Sequence, residues 1–107
     1  MPDPTYLGEL EQIVLLAVIR LGDGAYATPI LEEIGKQADR HVARGALYTA
    51  LDRLEAKGCL RSRLGEPLAE RGGRARRYFT VTPAALRSLK ESRLALLRLW
   101  RGIESQL

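Results

Sequence analysis

The sequence predicts a mainly α-helical domain with one small β-hairpin, an α+β fold closed by a long C-terminal helix. Three observations lead there. Apolar residues recur at three- and four-residue steps through three separate stretches before residue 58. Two short alternating runs follow, joined by a segment rich in glycine and arginine. From residue 83 onward, leucines repeat at heptad spacing.

The first helix is predicted over Leu7 to Leu21, where Leu7, Leu10, Ile13, Val14, Ala17, Val18 and Leu21 share one face. Gly22-Asp23-Gly24 stops it. A second helix is predicted to start at Thr28-Pro29, with Thr28 as N-cap and Pro29 in the first helical position. Glu32 and Glu33 lie in its early turns, where the helix dipole favours carboxylates. Ile30, Leu31, Ile34 and Ala38 supply its apolar face. After the short connection Asp39-Arg40-His41-Val42, a third helix spans Ala43 to Lys57 and is closed by Gly58. Leu47, Leu51 and Leu54 mark its buried side. Gly45, Tyr48, Thr49, Asp52 and Ala56 fall on the opposite side.

The strands are predicted at Cys59–Leu64 and Arg76–Thr82. Alternation places Leu60, Ser62 and Leu64 on one face with Arg61 and Arg63 on the other. In the second strand Phe79 and Val81 face the core, and Tyr78 and Thr80 face outward. The last helix starts at Thr82-Pro83, again an N-cap followed by proline. Running to the end it would hold about 24 residues and measure roughly 36 Å. Leu86, Leu89, Arg93, Leu96, Trp100, Ile103 and Leu107 form a seam along it, widened by Leu94 and Leu97. Such a helix carries more apolar surface than a small monomer can cover, so the seam is expected to meet a second copy of the chain. Residues 1–82 then form a binding domain, and residues 83–107 a dimerisation helix.

Composition narrows the function. The 107 residues suit one domain with a modest core. No apolar run is long enough for a membrane span, and Met1-Pro2-Asp3-Pro4-Thr5 does not read as a secretion signal. The single Cys59 cannot form an internal disulfide, which fits a cytoplasmic location. It follows a helix-ending glycine and reads as a small buried apolar residue. One histidine, His41, makes no metal cluster, and no cofactor is implied. A catalytic set of nucleophile, base and orienting acid is lacking, which argues against an enzyme.

The net charge of +4 is unevenly placed. Between residues 59 and 82 lie six arginines (61, 63, 71, 74, 76 and 77) and two glutamates. The remaining 11 basic and 11 acidic side chains cancel. Arginine makes bidentate contacts to phosphate and guanine, and a localised patch steers a polyanion. A helix with a small, hydrogen-bonding outer face, backed by an Arg-Gly ribbon, is an arrangement that grips double-stranded DNA. One face enters the major groove while the ribbon clamps phosphates. Arg44, at the start of that helix, can reach a phosphate or a guanine. Arg53, Gly45 and Thr49 join the same DNA-binding set. Arg71, Arg74 and Arg76 form the wing, either entering the minor groove or resting on phosphates. Arg77 alternates toward the core side, where it can pair with an acid. Asp52 either pairs with an arginine or accepts from cytosine. A ribbon that binds an acidic protein partner, in a module without DNA binding, is the alternative.

Two segments carry a resemblance. Gly45-Ala46-Leu47-Tyr48-Thr49-Ala50-Leu51-Asp52-Arg53-Leu54-Glu55-Ala56-Lys57-Gly58 resembles the third-helix signature of PadR-like transcriptional regulators. Gly72-Gly73-Arg74-Ala75-Arg76-Arg77-Tyr78-Phe79-Thr80-Val81-Thr82-Pro83 resembles that family's wing and the lead into its C-terminal helix. The resemblance covers roughly Leu7 to Glu104. It implies a winged helix-turn-helix domain, a homodimer built through the C-terminal helix, and a pseudo-palindromic operator, usually for repression. It also implies that Tyr48 sits at the DNA face of the recognition helix. At the start of the second helix this chain departs from the family pattern: Ala25-Tyr26-Ala27-Thr28-Pro29 keeps the tyrosine but changes its surroundings. Some relatives stack flat ligands on an aromatic residue of the last helix. Trp100 is therefore either an anchor of the dimer core, with Leu86, Leu89, Leu96, Leu97 and Ile103, or a contact for a small planar aromatic effector.

Overall fold

A computed structural model describes residues 6–67 and 75–107. Its elements are α1 (Glu9–Leu21), a 3-10 turn (Gly22–Gly24), α2 (Ala27–Ala38), α3 (Arg44–Ala56), β1 (Leu60–Pro67), β2 (Ala75–Val81), α4 (Pro83–Trp100) and a 3-10 turn (Glu104–Gln106). The predicted α+β class is the observed one.

α1 starts at Glu9 rather than Leu7, because Gly8 takes the N-cap. The Gly8 N–H donates to Glu11 Oε1 at 2.9 Å, half of a capping box. Leu7 precedes the helix yet is buried. α1 buries Val14, Leu15, Ala17 and Val18 at the centre of the core. Leu15 lies off the spacing that marks the predicted face. It is covered because α1 is enclosed on more than one side by α2, α3 and β2. α2 starts two residues earlier than its Thr-Pro signal suggests. Tyr26 is the N-cap, in extended conformation, and Thr28 already lies inside the helix. Ile30 and Ile34 are fully packed, Leu31 is partly buried, and Ala38 at the helix end is exposed.

α3 buries Leu47, Ala50, Leu51 and Leu54. It ends in a Schellman turn: the Gly58 N–H donates to Glu55 O at 3.0 Å and the Cys59 N–H to Leu54 O at 2.8 Å. Gly58 has φ +77°, which a side chain at Cβ would resist. Thr82 ties this turn to the next helix. Its hydroxyl donates to Gly58 O at 2.7 Å and accepts from the Ala85 N–H at 3.2 Å, while its own N–H donates to Cys59 O at 3.1 Å. Cys59 is buried as expected, and desolvation pushes its thiol pKa up.

β1 and β2 pair antiparallel from Leu60↔Val81 through Ser62↔Phe79 to Leu64↔Arg77, with an irregular register before Pro67↔Ala75. The strands thus run further toward the tip than predicted, to Pro67 and from Ala75, while Cys59 and Thr82 lie just outside them. Leu60 and Phe79 are in the core. Leu64, expected on the core face, is 72% exposed, since its end of the ribbon projects past the body. A third backbone segment meets the ribbon: the Phe79 N–H donates to Ala25 O at 2.9 Å.

α4 departs most from expectation. It stops at Trp100 instead of continuing to residue 107. Arg101 turns extended (φ −56°, ψ 122°), and Gly102 adopts φ +88° with its N–H on Glu104 Oε2 at 3.0 Å. Ile103 therefore lies past the helix and off the seam. Leu89, assigned to the dimer seam, belongs instead to the chain's own core together with Ala85, because the first half of α4 docks on the domain.

Ion pairs fasten the helices. Lys57 Nζ meets both oxygens of Glu11 (2.9 and 2.8 Å) and Tyr6 O (2.7 Å), joining the end of α3 to α1. Arg20 pairs with Glu33 across α1 and α2 at 2.8 Å, and that guanidinium bond holds the Glu33 carboxyl below its usual pKa. Arg40 pairs with Glu9. Among the described residues no helix is long and apolar enough to cross a membrane.

Candidate nucleic-acid interface

The outer face of α3 is built from the residues the periodicity selects. Gly45, Tyr48, Thr49 and Asp52 are exposed because Leu47, Leu51 and Leu54 turn the opposite side inward; Arg44, at the first position of the helix, and Arg53 are exposed as well. Tyr48 is 45% exposed. The Thr49 hydroxyl donates back to Gly45 O at 3.0 Å. At the start of α3, Arg44 Nη2 donates to Thr28 Oγ1 on α2 at 3.0 Å. Thr28 thus serves as an acceptor for the next helix rather than as a cap.

Asp52 resolves toward an arginine. Its Oδ1 lies 3.3 Å from Arg77 Nη1, and the same guanidinium pairs with Glu55. Glu55 Oε2 also accepts from Ser62 Oγ at 2.8 Å, and the Arg77 guanidinium lies 5.0 Å from the centre of the Phe79 ring. Arg77 therefore bolts β2 to α3 and offsets two carboxylates beside the exposed face. This is the acid pairing that its alternation predicts.

The outer ribbon face carries Arg63, Tyr78 and Arg76. Arg63 stacks on the Tyr78 ring at 4.7 Å, and Arg76 stacks on Tyr26 at 4.4 Å. Tyr26 and Tyr78 meet edge to face, with centroids 5.5 Å apart at 68°. Arg76 lies in β2, as the predicted strand has it, and its guanidinium rests against the start of α2. Arg71 and Arg74 lie outside the described residues. Sequence reasoning did not single out Tyr26 or Arg63 as parts of the site. Alternation already placed Arg63, Tyr78 and Arg76 on one ribbon face, but the arrival of Tyr26 from a distant segment left no local signal.

Three helices with a two-stranded ribbon after the third, α3 exposed beside it, define a winged helix-turn-helix protein. The sequence profile described as "Transcriptional regulator PadR-like family" matches residues 15–91. The chain belongs to this PadR-like family, whose members are transcriptional regulators and not enzymes. Solved structures agree. A transcriptional regulator from Clostridium thermocellum is 26% identical, with 90% of each chain covered and a TM-score of 0.73. A PadR family transcriptional regulator from Eggerthella lenta is 25% identical, covering 92% of this chain and 85% of that one, with a TM-score of 0.70. No functionally curated protein matches the chain in sequence.

Proposed function

We propose that this chain is a homodimeric, sequence-specific repressor that binds double-stranded DNA at a pseudo-palindromic operator in the cytoplasm. The observation that carries this reading is the exposed face of α3, short-sided and hydrogen-bonding, lying beside a ribbon whose cations are all arginine. Arg44, Gly45, Tyr48, Thr49 and Arg53 address the major groove and its phosphates, and Arg71, Arg74 and Arg76 the flanking backbone. A dimer seated across a promoter blocks access to it, which makes repression the simplest outcome.

The dimer is supported by the distal half of α4. Leu94, Leu96, Leu97, Leu99 and Trp100 are exposed there, and Leu86 in the first half of the helix is exposed too. A groove of about 700 Å³ between α1 and α4, bordered by Ile13, Leu16, Ala95 and Leu96, lies alongside. Residues 83–107 act as the dimerisation arm, without Leu89 and with Ile103 beyond the helix. Two protomers then present their α3 helices about 34 Å apart, one turn of DNA. Trp100, 40% exposed at the last turn of α4, fills this seam. A planar aromatic effector stacking there would quench its fluorescence saturably; an unchanged emission on titration with flat dyes removes the effector.

A salt series on duplex binding tests the central reading. Log affinity should fall with log salt by about 0.9 per phosphate neutralised. A protein-binding module would show neither this slope nor competition by random duplex, and that outcome overturns the proposal.

A further inference from the structure

The ribbon and α2 meet through the backbone before any side chain is considered. Ala25 is fully buried, and its carbonyl accepts the Phe79 N–H at 2.9 Å. That bond sets the next residue, Tyr26, over β2. Tyr26 is the N-cap of α2, but its side chain makes no capping bond. Its ring instead packs edge-on against Tyr78 and receives the Arg76 guanidinium at 4.4 Å. Tyr78 is fixed in turn. Arg63 stacks on it, and Gly65 leaves it room: a Cβ there would lie 2.6 Å from Tyr78 Cε2. The four side chains form a continuous stack, Arg63–Tyr78–Tyr26–Arg76. It stands beside the point where the strand register becomes irregular, after Leu64↔Arg77. There the hydrogen-bond ladder alone constrains the ribbon least.

We propose that Tyr26 is a positioning residue that holds the Arg76 guanidinium, and with it the outer ribbon, in register with α3 for contact with the DNA backbone. The proposal rests on the DNA-binding reading above. Stacking uses the flat face of a guanidinium and leaves the N–H donors around its rim free to meet a phosphate. A side chain already confined in the free protein loses less rotamer freedom when it binds. The start of α2 gathers a second cation in the same way, since Arg44 of α3 is tethered to Thr28, two residues beyond Tyr26. One arginine from the recognition helix and one from the ribbon are thus referred to a single rigid element. The distance between their phosphate contacts is then set by the fold and not by the ribbon's own flexibility.

The test is the salt dependence of duplex binding by the full chain. Arg76→Ala should lower the log–log slope by about 0.9 per protomer, one phosphate contact each, and so by roughly 1.8 for the bound dimer. Tyr26→Leu, which removes no charge, should lower it by the same amount, and the double variant should lose no more than either alone. Tyr26→Phe keeps the ring and should keep the slope. Arg76→Lys keeps the charge without the planar stack and should fall between. Thermal melts confirm that each variant is folded. The wild-type protein provides an independent reading by NMR: the Arg76 side-chain protons should be shifted upfield by the Tyr26 ring. A Tyr26→Leu protein that binds with the wild-type slope, or Arg76 protons at ordinary shifts, overturns the proposal. Failure of the wild-type protein to bind duplex at low salt sinks the DNA-binding reading instead.

Discussion

Thr82 carries three connections at once: a cap on α4, a hydroxyl bond to Gly58 O and a backbone bond to Cys59 O. Removing its hydroxyl strips both side-chain bonds from a buried site. Thr82→Ala should therefore lower stability by about 1–2 kcal/mol, and Thr82→Ser should recover most of it, as read by urea unfolding. Tyr48 makes the opposite kind of contribution. It is exposed, so Tyr48→Ala should leave the melting temperature nearly unchanged. On the proposed function it should narrow the affinity gap between operator and random duplex, at about 1–3 kcal/mol per lost base contact. Arg53→Ala, in contrast, should weaken all duplexes alike. Equal effects of the two changes on both kinds of DNA would contradict this division of roles.

Between elements, polar contacts decide how helices already driven together by apolar burial are oriented. Lys57 and Glu11 are mostly covered; all three Lys57 donors are used and both Glu11 oxygens accept, which is the condition under which an ion pair adds order. Arg77 links β2 to α3 through Asp52 and Glu55 in a more exposed setting, where water weakens the pair. The Arg20–Glu33 pair gives a pH signature. Glu33 has a lowered pKa, chiefly from its bond to Arg20. A carboxyl depressed in the folded state stabilises fully above its unfolded pKa and loses that contribution as the pH falls through its folded value. Arg20→Gln should thus be less stable than the wild type at neutral pH, and the two should converge in acid below the ordinary carboxylate range. High salt should shrink the difference at neutral pH, because the arginine is largely exposed. Melting curves across pH and salt measure both effects.

At the scale of the molecule, α4 divides its work. Its first half supplies Ala85 and Leu89 to the core, and its second half carries leucines and Trp100 on the surface. Substitutions in the second half should therefore separate assembly from folding. Leu94→Asp with Leu97→Asp is expected to leave the monomer's unfolding free energy within about 0.5 kcal/mol of the wild type. The same pair should abolish the proposed dimer by sedimentation and weaken operator binding at least tenfold. A dimer that survives both changes places the interface elsewhere.

The linear chain by itself determined the features that depend on near neighbours. Leucine spacing selects the inner face of α3, so Gly45, Tyr48 and Thr49 were bound to be outside. Thr82-Pro83 starts α4, and the clustering of arginines after residue 60 places the excess charge on the ribbon. The same local view carried α4 too far, because leucine-like spacing continues past Arg101, whose extended backbone ends the helix just before Gly102 turns to positive φ. The tertiary structure alone decided which distant groups meet. Leu89 faces its own core because the domain offers a surface there before any partner can. Asp52 meets Arg77, which lies 25 positions later. Tyr26 receives Arg76 because the buried Ala25 carbonyl pairs with β2. Such encounters join residues far apart along the chain, and periodicity has no means of recording which of two exposed faces will come together.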